Sequence, residues 1–141
     1  MTRGEIRLAN LNPRRGTEPG KTRPVLIVQA QALLDAGHPS SLIVPLTTNL
    51  IDDAEPLRIR VEPHGKLRKR SDLLIDQLRA IDNTRVIGPP MVTLESEVLA
   101  RVDEALKEVL DLLPVTERPA AESSQTKEPA PPNSVDDDEG E

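Results

Sequence analysis

The spacing of apolar residues changes once along this chain, and that change limits the folds open to it. Between Glu5 and Ile87 the apolar residues come in short runs, alternating or continuous, separated by Gly, Pro and charged turns. This is strand patterning. From Leu94 to Leu113 the interval becomes three and four: Leu94, Val98, Leu99, Val102, Leu106, Val109, Leu110 and Leu113 recur with charged residues between them. That spacing predicts an amphipathic helix. Thr93 is its N-cap candidate, Glu95 and Glu97 suit the positive end of the helix dipole, and Pro114 stops it. The layout is mainly β with helices (α+β): an antiparallel barrel or curled sheet closed by a C-terminal helix.

The runs can be placed individually. Glu5–Leu11 alternates, with Ile6, Leu8 and Leu11 as inward candidates. Residues 13–23 form a long loop. Pro24–Val28 is continuous and β-branched, which predicts a central strand. Gln29–Ala36 makes one short helix, ended by Gly37 and Pro39. Ser41–Leu46 is a strand in which Pro45 marks a bulge or an edge. Leu57–Glu62 alternates and turns at Pro63-His64-Gly65. Strand-like pieces follow at Asp72–Gln77, Arg79–Ile81 and Arg85–Ile87.

Composition then restricts the chemistry. The chain has no Phe, Trp, Tyr or Cys, and only two His. The core is therefore aliphatic, with no disulfide and no thiolate ligand or nucleophile. His38 and His64 lie in separate Gly/Pro turns, so no metal site and no cofactor are expected. Single-stranded nucleic acid is commonly gripped by stacking on aromatic rings, and a site here would need arginine planes, amides and aliphatic walls instead. No apolar run approaches the length of a membrane span, and residues 1–12 show no secretory signal. The expectation is a cytoplasmic protein that makes no contact with a membrane.

The net charge of −6 is unevenly spread. Residues 114–141 carry eight acids and two bases, and hold five of the fourteen Pro. Such a segment buries too little apolar surface to offset its ordering entropy. We expect a folded domain over 1–113 and a disordered acidic, Pro-rich tail over 114–141. Residues 1–93 have fourteen bases against ten acids, a mildly basic body compatible with a polyanionic partner. An acidic tail tethered to such a body either competes with a polyanion for it or only solvates the protein.

One string is a decoy. Gly16-Thr-Glu-Pro-Gly-Lys-Thr22 looks like a phosphate-binding P-loop but has three residues between its glycines where that motif has four. A P-loop leads into a helix, whereas RPVLIV follows here. A nucleotide hydrolase is rejected.

A different set of motifs is more specific. Asn12-Pro13, Gly16-Thr17-Glu18, Arg23-Pro24-Val25-Leu26-Ile27, Pro45-Leu46-Thr47 and the string from Ser71 to Asp82 occur in that order. Together they resemble the MazF/PemK family of bacterial toxins, over about residues 3–112. The resemblance implies a small, SH3-like curled antiparallel sheet with helices beside it, and a homodimer. It implies a type II toxin–antitoxin toxin that cuts single-stranded RNA at short sequences without metal. The products would be a 2′,3′-cyclic phosphate and a 5′-hydroxyl, and a cognate antitoxin would block the RNA groove. The alternatives are a gyrase poison of the CcdB family, which shares this fold, and a catalytically weak RNA-binding relic.

The same resemblance points to residues. Arg23 and Thr47 occupy the family's catalytic positions. A guanidinium can meet two phosphoryl oxygens at once as charge builds on phosphorus, which suits Arg23 as an electrostatic clamp. The general base stays unassigned. Thr47 would donate to the scissile phosphate, with Thr48 as the substitute if the register slips, since alternation turns only one toward a groove. Thr17, Glu18 and Gln77 are the substrate-binding candidates. Thr17 reaches RNA or closes a local turn. Glu18 accepts from a base amine or balances Arg14 and Arg15. Gln77 offers its amide to a base edge or to a cross-strand bond. Lys66-Leu67-Arg68-Lys69-Arg70 is either a solvated hairpin tip or a track for phosphates.

Overall fold

A computed structural model of the protein describes residues 1–112. The expected tail 114–141, Pro114 and Leu113 lie outside the described residues. The order is β1 (Glu5–Asn10), β2 (Thr22–Ile27), α1 (Gln31–Asp35), β3 (Ser40–Thr47), β4 (Arg58–Val61), β5 (Ser71–Leu74), a 3-10 turn (Ile75–Gln77), β6 (Arg79–Asp82), a second 3-10 turn (Asn83–Arg85), β7 (Val86–Thr93) and α2 (Ser96–Leu110). The strands form one seven-stranded antiparallel sheet in the order β4-β5-β3-β2-β1-β7, with β6 also beside β3. Sheet and C-terminal helix stand as the apolar spacing predicts.

β2 is central because both of its faces are covered. Leu26 joins Ile6, Val28, Val44, Leu46, Ile59, Leu73 and Val102 in one cluster. Val25 and Ile27 join Ala9, Leu11, Ile43 and Ile81 in another. A continuous apolar run is what a strand buried on both faces requires. Along β1 the same division explains why Ile6 and Ala9 are both fully buried, while Leu8, opposite Pro24, is only half-buried. Leu8 is therefore not an inward residue of the same rank as Ile6.

Pro45 lies neither at an edge nor in a bulge. On one side β3 pairs with β2 at Val25↔Pro45. On its other side the partner is β6 for residues 40–43 and β5 for residues 46–47. Pro45 falls in the gap between those partners, where a strand interior can dispense with an N–H.

The run Asp72–Gln77 is not one strand either. β5 ends at Leu74, and Ile75–Gln77 tightens into the 3-10 turn, with Ile75 buried. β7 extends well past Ile87, through Gly88-Pro89-Pro90, a string that reads as turn chemistry. Gly88 adopts φ +74°, and the β1–β7 register shifts there, between Ile6↔Val92 and Leu8↔Ile87. The irregularity absorbs the prolines, as bulges do.

α2 packs Val102 and Ala105 fully, and Val98, Leu99, Leu106 and Val109 partly, against the first cluster. Burying a Leu or Val contributes about 1.5–3 kcal/mol, so this face holds the helix down. Thr93 is not its cap: it ends β7, and Glu95 holds the N-cap position without a side-chain bond. At the other end Asp111 turns left-handed at φ 58° and its N–H bonds the Glu108 carbonyl, so the helix stops after Leu110, which is half exposed.

Candidate active site

β2 and β3 run antiparallel with Val25 opposite Pro45. Continued by two residues, this register sets Arg23 opposite Thr47. Thr47 in turn is the Cα partner of Asp72 on β5, and Asp72 is the partner of Arg60 on β4. One row across four strands therefore reads Arg23, Thr47, Asp72, Arg60.

The first two residues of the row line a cleft of about 370 Å³ with Lys21, Thr48, Lys66, Leu67, Arg68, Lys69, Ser71 and Met91 among its walls. Arg23 donates from Nε to the Gly20 carbonyl (3.1 Å) and from Nη1 to the Leu46 carbonyl (3.2 Å). Those two anchors fix the plane of the guanidinium and leave three of its five N–H groups for a ligand. Burial, and then the like charge of Arg14, lower the proton affinity of Arg23 below that of an ordinary guanidinium. Gly20 is needed for this geometry: a Cβ there would sit 2.6 Å from the Arg14 Cβ and push the loop off.

The Thr47 hydroxyl accepts from the Asn49 N–H (3.1 Å), which leaves its proton to donate. Thr48 lines the cleft as well. β3 ends at Thr47, so strand alternation no longer separates the two threonines.

The basic run reaches the cleft because its hairpin folds back onto β7. Leu67 is buried in the core, the Lys66 N–H bonds the Met91 carbonyl (3.1 Å), and Gly65 at φ +58° presses against Val92. Lys66, Arg68 and Lys69 are exposed around that plug. Arg70 turns away and pairs with Glu62.

Thr17 and Gln77 are brought together, but elsewhere. They line a second hollow of about 390 Å³ with Ile51, Ala54, Leu57, Arg58, Leu74 and Asp76. Gln77 stands in the 3-10 turn, not in a strand, so a cross-strand bond is not its role. Glu18 lines neither space; its N–H closes a turn onto the Arg15 carbonyl.

Asp72 had drawn no notice in the sequence. It is 1 % exposed and accepts from Arg58 Nη1 (3.0 Å), Arg60 Nε and the Ile51 N–H (3.0 Å). Burial pushes its pKa up, and the bonds from Arg60, Ile51 and Arg58 outweigh this and hold it below the usual carboxylate range. Lys21 and Met91 were also missed. Lys21 could have been found from its place two residues before Arg23; Met91 arrives only through the docking of the hairpin on β7.

Among the described residues no group of three His, Asp or Glu is placed to hold a metal ion, and no helix is long and apolar enough to cross a membrane.

Residues 2–110 match the profile of the PemK-like, MazF-like toxins of type II toxin–antitoxin systems. The chain is 30% identical over 118 residues to the endoribonuclease EndoA of Bacillus subtilis, covering 80% of this chain and 97% of that one. MazF of Deinococcus radiodurans superposes with a TM-score of 0.65 at 22% identity, over 79% of this chain and 96% of that one. A mycobacterial endoribonuclease solved in complex with its cognate antitoxin superposes with a TM-score of 0.64 at 18% identity, over 80% and 97%. The row of paired strands, the C-terminal helix and the sequence between them make this chain a member of the PemK/MazF family of type II toxin–antitoxin toxins.

Proposed function

We propose that this chain, an endoribonuclease toxin of its family, cuts single-stranded RNA at the cleft around Arg23 and Thr47. One observation carries the reading. Lys21, Arg23, Lys66, Arg68 and Lys69 line the cleft, and among the described residues no acid lines it and none of the five has a carboxylate partner. Seven other bases are ion-paired: Arg3, Arg7, Arg58, Arg60, Arg70, Arg101 and Lys107. Arg14, Arg15, Arg79 and Arg85 have no ion pair among the described residues either, but they do not line the cleft. Cations without an acid beside them, gathered around the Thr47 and Thr48 hydroxyls, suit a polyphosphate backbone.

In the reaction the 2′-oxygen attacks phosphorus and loses its proton, and the bond from phosphorus to O5′ breaks as O5′ gains one. The products are a 2′,3′-cyclic phosphate and a 5′-hydroxyl. Arg23 stabilises the charge that develops on the non-bridging oxygens, and Thr47 donates to one of them. The lysines and Arg68 hold the neighbouring phosphates. The second hollow takes a base: Gln77 and Thr17 supply polar groups, and Ile51, Leu57 and Leu74 supply aliphatic walls in place of rings.

No metal takes part, the toxin works as a cytoplasmic homodimer, and a cognate antitoxin covers the cleft. The activity resides in residues 1–113, and 114–141 adds no catalytic group. The test is incubation of purified protein with a long natural RNA in EDTA, followed by mapping of 5′ ends. Cuts clustered at one short motif, with 5′-hydroxyl ends, are expected. Intact RNA together with inhibited gyrase supercoiling would overturn the proposal.

A further inference from the structure

The row that begins with Arg23 and Thr47 ends in a charge cluster that the cleavage reaction does not use. Asp72 is buried between β3 and β4, and it holds more than the two arginines. Its Oδ2 accepts the Ile51 N–H (3.0 Å). Arg58, held by Asp72, donates also to the Asn49 carbonyl (2.8 Å). Arg60, held by Asp72, reaches Asp52 (2.8 Å). Three successive points of the loop after β3, at Asn49, Ile51 and Asp52, are therefore tied to one buried carboxylate.

That loop leads from Thr47 and Thr48 in the cleft to Ile51, Ala54 and Leu57 in the second hollow. Ile51 and Leu57 are 53% and 49% exposed. They face the hollow that holds Gln77 and Thr17. Without the ties the segment has little of its own to hold it, since its side chains are mostly exposed.

We infer that Asp72 is a positioning residue for RNA selection: through Arg58, Arg60 and the Ile51 N–H it fixes the loop 49–52 so that the aliphatic wall of the base hollow stands at a set distance from Thr47. The inference rests on the reading of the cleft and hollow as an RNA site. It separates selection from the Arg23 clamp, while the Asn49 N–H still links the loop to the Thr47 hydroxyl (3.1 Å). Arg23 keeps its own anchors at Gly20 and Leu46, so loosening the loop leaves the clamp in place.

The experiment uses the full chain and two variants, Asp72→Asn and Arg60→Met, the second keeping Arg58 on the carboxylate should the first fail to fold. Hydrogen exchange at the Ile51 amide is read without RNA, and cleavage of a long natural RNA is read by 5′-end mapping and by steady-state kinetics. Faster Ile51 exchange is expected in each folded variant. KM should rise by about ten- to a hundredfold, the range set by misfit in an apolar pocket, and cuts should spread beyond the preferred motif, with kcat changed much less than KM. Unchanged Ile51 exchange and unchanged cut sites in a folded variant would overturn the inference, as would a fall in kcat alone. A wild-type protein that leaves RNA intact would instead overturn the reading of the cleft, and the exchange result would still decide whether Asp72 holds the loop.

Discussion

Two places in this sheet gather arginine, at the two ends of one row across its strands. Around Asp72, Arg58 and Arg60 are matched to a buried carboxylate, and Arg60 reaches Asp52 as well. Around Thr47, Arg23 bonds carbonyl oxygens, and among the described residues its cationic neighbours have no carboxylate. The residue type is the same and the environments are opposite. A matched cluster holds a structure together, and its charge is already balanced. An unmatched one is held by other means, here by backbone anchors and by Leu67, and its charge is available to a phosphate. Arginine in a sequence says little about which of these it serves; its partners decide.

The largest effect should come from breaking the matched side. Removing one member of a buried charge set typically costs about 3–5 kcal/mol, so Asp72→Asn should lower stability by an amount of that order, read by denaturant unfolding. Its acid profile sharpens the point. The folded pKa of Asp72 lies below its unfolded value, near 3.9 for Asp. The carboxylate therefore contributes its full stabilisation above about pH 5, and loses it as pH falls through the unfolded value toward the folded one. Asp72→Asn should remove that part of the acid transition. An unchanged acid limb would mean that the arginines do not hold the carboxylate as described.

On the unmatched side the effect should appear in rate and not in stability. Arg23→Ala should slow cleavage by about a hundred- to a thousandfold, the usual loss on removing a preorganised charge-stabilising donor. Its unfolding midpoint should stay close to the parent's. Arg23→Lys should restore little, because a point charge does not replace the planar fork. If both variants cut at the parent rate, Arg23 is not the clamp.

A smaller effect tests the hairpin that brings the lysines in. Gly65→Ala places a Cβ 2.9 Å from Val92 Cγ2 in a left-handed backbone. The conformation alone costs an L-residue about 1–2 kcal/mol. RNA affinity should drop while cleavage at saturating RNA is retained. Equal affinity would show that the hairpin tip does not contact RNA.

The smallest effect is electrostatic. Replacing Lys66, Arg68 or Lys69 singly by Gln should weaken RNA binding modestly. If each contacts one phosphate, each should flatten the dependence of log affinity on log salt by about 0.7, the single-strand value. A slope unaffected by all three would make the run a solvated tip.

The large elements were legible because their signals are local. The three-four spacing of residues 94–113 and the β-branched run at 24–28 identify α2 and β2 without reference to the rest of the chain. The meeting of Arg23 and Thr47 at one cleft depends instead on the register of β2 against β3, Val25 with Pro45, which the folded sheet sets. Thr93 was misread as a cap, since a Thr before a helical stretch serves equally as the last residue of a strand. Residues 88–93 were missed because Gly-Pro-Pro signals a turn wherever it stands, and here a bulge carries it through β7.

Which stretches bury aliphatic side chains, and hence a sheet followed by a helix, is written in the order of residues, because periodicity is a property of neighbours. What each charge meets is set by the folded sheet. Asp72 looks like any exposed carboxylate until β3 and β4 close on it. Lys66–Lys69 is an ordinary basic run until Leu67 is drawn into the core and turns the hairpin over Arg23. Gln77 belongs with Thr17 only because a 3-10 turn and a distant loop meet at one hollow. Burial and ion pairing depend on groups far apart along the chain, and no local pattern encodes the distance between them once the sheet has folded.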